Sequence, residues 1–144
     1  MNDSTPANLP PDYDRLKQHL HEVRDKLLAL HKVLLDSERV SYEKTVGQIV
    51  SPHHFLQLLT GDPWFAWLHP LSELIVAIDE ALDAKIPPPA PDLEALITQA
   101  HQLLVPAETG GDGNGFATHY FEALQRDPDV VVAHAEVARL RRRV

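Results

Sequence analysis

Between Asp12 and Lys44 the apolar residues recur with a helical period: Leu16, Leu20, Val23, Leu27, Leu30 and Leu34. Their spacings of 4, 3, 4, 3 and 4 keep all six within a narrow arc of a helix that turns about 100° per residue. No glycine or proline interrupts the run, and leucine is a good helix former. The spacing therefore predicts one long helix, roughly 50 Å if continuous at about 1.5 Å per residue. Ser37 marks a candidate break, because serine suits an N-cap.

The rest of the chain is cut into shorter segments by start and stop signals. Ser51-Pro52 pairs an N-cap residue with proline at the first helical position, and the short helix it opens ends at Gly61. Asp62-Pro63 repeats the signal. It opens a helix across residues 63–84 whose apolar stripe is Trp64, Trp67, Leu68, Leu71, Leu74, Ile75, Ile78 and Leu82. Pro70 falls on the opposite side, where it can kink the helix without disturbing the packed face. "AKIPPPAPD", residues 84–92, reads as a stiff, non-helical connector. A further helix then buries Leu93, Leu96, Ile97, Ala100 and Leu104. "ETGGDGNG" is a loop, Phe116–Arg126 a short helix, and Asp127-Pro128 the start of the last one. No alternating run is convincing enough for a strand. The expected fold is all-α, an antiparallel four- to five-helix bundle with a long N-terminal helix. Residues 1–11 read as a flexible arm and 12–144 as one domain.

Composition narrows the function classes. The net charge of −8, from 21 acidic and 13 basic residues, has the wrong sign for a dedicated nucleic-acid binder. With no cysteine, disulfides, thiol catalysis and Cys-ligated metal sites are excluded. The polar, proline-rich start lacks the pattern of a signal peptide, and the longest uncharged stretch contains Pro52 and two histidines, unlike a membrane span. The reading is a cytoplasmic protein. No phosphate-binding loop, dinucleotide fingerprint or nucleophile elbow occurs, so nothing nominates an enzyme or a cofactor.

Candidate chemistry rests on polar residues at apolar positions. In the second half of the first helix the apolar arc widens to include Leu28, Leu35, Tyr42 and Val46, with His31 and Glu38 at its middle. In the last helix His134 sits among Val130, Val131, Val137 and Ala138. Inward polar groups are costly unless they find partners. On one reading His31, Glu38 and His134 converge, with His119 or His101, into a single metal or small-ligand site, since bundles build zinc and di-iron centres from facing helices. On the other, each is satisfied singly: histidine by a backbone carbonyl or a tyrosine hydroxyl, and Glu38 by an arginine such as Arg39 of a neighbouring helix or chain. No glutamate has a histidine three residues on, which argues against di-iron. His69 and Glu73 form a His-x-x-x-Glu pair on the outer side of their helix, an exposed i,i+4 contact. "GDGNG" lacks the flanking carboxylates of a calcium loop. "RLRRRV" suits the negative end of a helix dipole, and also the docking of an acidic partner.

"LLALHKVLLDSERVSYEKTVG" and "LLTGDPWFAWLHPLSELIVAIDEAL" are together similar to an uncharacterised bacterial all-helical family over about residues 27–83. The resemblance implies a helical fold and supplies no activity. Hemerythrin-like bundles offer a looser comparison in architecture. Here their His-x-x-x-His spacing is absent and the His-x-x-x-Glu pair faces out. The functional expectation is a non-enzymatic helical protein acting through protein contacts. A homo-oligomer through the long leucine seam is a candidate, because short helices promise to cover that seam incompletely. The alternative is the ligand site around His31, Glu38 and His134.

Overall fold

The leucine seam is the inner face of one unbroken helix. The structure is a computed structural model and describes residues 12–107 and 115–141. Its first helix, α1, runs Tyr13–Thr45 over 33 residues. Leu20, Val23, Leu27, Leu30 and Leu34 are all 0% exposed, each contributing roughly 1.5–3 kcal/mol by leaving water. Ser37 does not break the helix. It lies buried inside α1 and its Oγ accepts a hydrogen bond from Arg126 Nη2 at 3.1 Å. A serine whose hydroxyl has a tertiary donor no longer competes for its own backbone.

Five shorter α-helices follow: α2 (Pro52–Gly61), α3 (His69–Asp83), α4 (Ala90–Leu103), α5 (Phe116–Arg126) and α6 (Pro128–Leu140). A 3-10 helix, Pro63–Leu68, precedes α3. The described residues contain six α-helices and no strand, against the four or five helices expected. The start signals act as read. Ser51 Oγ accepts from His54 N–H, Asp62 Oδ1 from Trp64 N–H and Asp127 Oδ1 from Asp129 N–H, at 3.0, 2.8 and 2.9 Å.

Two boundaries differ from the expectation, both because of proline. Residues 63–84 are not one helix. An α-helix would need Pro70 to donate an N–H to the Ala66 carbonyl; instead His69 N–H takes that carbonyl, and the chain winds as a 3-10 helix up to that point. With three residues per turn, Phe65 and Leu68 share a face, so Phe65 is fully buried and Trp64 only half-buried. The connector is also shorter than expected. α4 begins at Ala90 with Pro91 in its first turn, where the missing N–H has no intrahelical acceptor to lose.

α1 is the element against which the others pack: α3, α4, α6 and the 3-10 helix all contact it. α6 runs antiparallel to it, with Lys26 Nζ 3.2 Å from Glu136 Oε1 near one end and Arg126 bonded to Ser37 near the other. α3 is antiparallel too: Arg24 pairs with Asp79, while Leu68, His69 and Ser72 lie beside His31. Tyr13 Oη donates to the Pro88 carbonyl at 2.6 Å, tying the proline connector to the start of α1. Short helices placed around α1 thus bury the seam from Leu20 to Leu34 within one chain. The widened arc holds only in part: Tyr42 and Glu38 are buried on it, whereas Leu28 is 45% and Val46 59% exposed.

The two tryptophans serve different aromatic groups. Trp64 meets Tyr42 edge-on at 5.6 Å, in a set with Phe65 and Phe55. Trp67 packs on Phe116 at 5.2 Å and stacks on His119 at 5.4 Å. Both are architectural. Among the described residues no helix is long and apolar enough to cross a membrane.

Candidate functional site

The sequence nominates Glu38, His31 and His134, and each occupies a different environment. Glu38 is buried at 6% exposure, as its position on α1 implies. Its partner is Arg126, the last residue of α5, whose Nη2 donates to Glu38 Oε2 at 2.7 Å. The same guanidinium also reaches Ser37 Oγ. This arginine holds the α5–α6 corner against α1. An arginine of a neighbouring helix satisfies Glu38 as the single-partner reading has it, but it is Arg126, 88 residues away, and not Arg39. Arg39 stands over the Phe55 ring, 5.1 Å from its centroid. Above the pair lies an open cleft of about 380 Å³ bordered by Asp36, Ser41, Lys44, Asp127 and Asp129.

His134, half-buried on α6, faces the fully buried Tyr120 of α5, with Nδ1 2.7 Å from the phenolic oxygen. Burial pushes the Tyr120 hydroxyl well above its ordinary value and the His134 imidazole below its own. Both groups are therefore neutral near pH 7, and the hydroxyl hydrogen has Nδ1 as its acceptor. A tyrosine hydroxyl as the partner is what the single-partner reading expects. Val131 and Ala138, expected to enclose this histidine, are exposed.

His31 is half-buried, with its imidazole held below the usual histidine range by burial. It lines a cleft of about 420 Å³ where α1, α2, the 3-10 helix and α3 meet. Leu35, Leu59, Phe65 and Leu68 supply apolar walls, and Thr60, His69, Ser72 and Glu73 its polar positions. His69 and Glu73 are exposed, as expected of the outer side of α3, and His69 Nε2 lies 3.2 Å from the Leu59 carbonyl. No hydrogen bond to His31 is formed by the other described residues.

The three nominated residues therefore do not converge. Glu38 belongs to the α1–α5 corner, His134 to the α5–α6 pair, and His31 to the α1–α2–α3 cleft. His31 and Glu38 share a face of one helix but stand roughly 10 Å apart along its axis, too far for one ion. Among the described residues no three His, Asp or Glu side chains stand where they could hold a metal. His119 stacks on Trp67, with Nδ1 3.3 Å from the Gly115 carbonyl. The calcium-like "GDGNG" and the final arginines 142–143 fall outside the described residues, except Gly115.

Residue pattern alone does not reveal Arg126 or the walls of the His31 cleft. The one available signal for Arg126 is its place beside the Asp127-Pro128 start, which makes it a corner residue. No family model, curated protein or solved structure matches the chain.

Proposed function

We propose that the chain is a non-enzymatic helical-bundle protein that works by contact with another protein, docking it in the cleft around His31. One observation supports this most: a cleft with apolar walls, holding a neutral imidazole that has no hydrogen-bond partner among the described residues, is flanked by exposed apolar side chains on each of the three α-helices that build it. Leu28 lies one turn before His31 on α1, Leu56 one turn before Thr60 on α2, and Val76 one turn after Ser72 on α3. Their exposures are 45%, 57% and 54%. α2 itself carries Phe55, Leu56, Leu58 and Leu59 without one buried residue, a helix whose apolar face is only partly used. Because α1 and α3 are antiparallel, Leu28 and Val76 extend the cleft lengthwise. The occupant this shape suits is the apolar face of a partner's amphipathic helix, with His31 hydrogen-bonded at its centre.

The test is a photo-crosslinking amino acid placed singly at Leu56, Val76 or Ile86 in the full chain, expressed in its source cell. Ile86, in the proline connector and 83% exposed, is the control. One discrete adduct common to Leu56 and Val76, absent from Ile86 and lost in the Leu28→Arg variant, is the expected result. An adduct at twice the chain mass would make a second copy the partner. Equal labelling from Ile86, or no adduct at either cleft position, would refute the docking surface.

A further inference from the structure

The last turn of α4 and the end of α6 enclose a further cleft, away from the His31 surface, of about 180 Å³. His101, His134 and Arg141 supply its polar lining, and Leu104, Val105 and Val137 much of the rest. Among the described residues no carboxylate lines it. The nearest acidic residue along α6, Glu136, is engaged by Lys26 and Arg139.

Three nitrogen groups line the cleft, and one of them has an unmet demand. The Nε2 of His101 is buried and finds no hydrogen-bond partner among the described residues. Tyr120 occupies His134 Nδ1, so with the phenol as donor the remaining imidazole hydrogen sits on Nε2. Arg141 carries a permanent positive charge and has no acceptor group. An arginine at this position repels a cation, and the lining offers two histidines with no third metal ligand, so a metal does not suit the cleft. An anion does, and the apolar walls disfavour one that is charged all round.

We propose that this cleft binds a small organic carboxylate, its oxygens on Arg141 and the Nε2 groups of His101 and His134, its short hydrocarbon part against Leu104, Val105 and Val137. Such a ligand supplies the acceptor that His101 lacks and pairs with the guanidinium in a charge-assisted contact. Among the described residues the titratable and charged groups facing His101 are His19 of α1, His134 of α6 and Arg141 just beyond the end of α6. Burial, Arg141 and His19 all disfavour its protonated form. A bound carboxylate opposes them, so binding takes up a proton and strengthens as pH falls.

The experiment is a titration of the full-length protein with 3-methylbutanoate, and separately with inorganic phosphate, followed by NMR of the histidine ring protons and by calorimetry. Saturable shifts of His101 and His134 are expected. Affinity should rise by up to about tenfold per pH unit between about pH 7.5 and 5.5 for one proton taken up. Arg141 is exposed, so Arg141→Met leaves the fold intact and should weaken binding by roughly tenfold. Leu28→Arg should leave it unchanged, separating this site from the docking cleft. Absence of saturable shifts, or equal binding by Arg141→Met, would overturn the site. Phosphate binding as tightly as 3-methylbutanoate would overturn the assignment of an organic ligand.

Discussion

Replacing Arg126 by alanine should be among the more damaging single changes outside the apolar core. It removes the only donor to Glu38 Oε2 among the described residues and the donor to Ser37 Oγ, both buried. Breaking a fully buried ion pair from one side costs about 3–5 kcal/mol, because the remaining charge is left desolvated. Here the Glu38 side chain is 8% exposed but that of Arg126 is 37%, so water reaches the vacated position and part of the penalty is recovered. The net loss is then about 2–3 kcal/mol. For a chain of this size that lowers Tm by about 3–4 °C per kcal/mol. Urea titrations followed by far-UV circular dichroism measure it directly. A double-mutant cycle with Glu38→Gln should give a coupling of at least about 1 kcal/mol. The apolar pair Glu38→Leu with Arg126→Met should recover most of the stability, since it removes both charges together. A loss below about 0.5 kcal/mol for Arg126→Ala, or strict additivity in the cycle, would place the pair among ordinary surface contacts and refute its role as the clasp of the α5–α6 corner.

Two further outcomes follow from burial. His31, His101 and His134 all titrate below the ordinary 6.5 in the folded protein, so between those values and 6.5 the unfolded chain binds more protons. Stability should therefore be fully present above about pH 6.5 and decline as pH falls below it; a urea midpoint identical at about pH 7.5 and 5.5 would contradict this. Leu30→Ala should cost about 3–4 kcal/mol, as Leu30 is 0% exposed. Leu28→Ala, two positions away on the exposed side, should cost less than about 1 kcal/mol; a reversal of that order in urea unfolding would mean the seam faces the other way.

Local signals carried far along this chain. The seam of α1 was legible because its leucines repeat with the helix's own period, and the starts at Ser51, Asp62 and Asp127 because a cap and a proline act within one turn. Phe65 was hidden because its burial depends on winding at three residues per turn, which the single-helix projection through Pro70 does not represent. Arg126 was hidden because nothing within α5 marks it as the partner of a carboxylate on α1.

The candidate site divides the same way. Sequence by itself determined that Glu38 points inward and that His31 and His134 interrupt apolar arcs, since azimuth on a helix is set by residue number alone. Only the tertiary structure decided that Glu38 meets Arg126, that His134 meets Tyr120, and that His31 meets an apolar cleft instead of either. Those pairings depend on the crossing angles and axial offsets of separate helices. Such offsets come from how the apolar faces of α3, α4, α6 and the 3-10 helix pack together on α1, a quantity that no single helix carries.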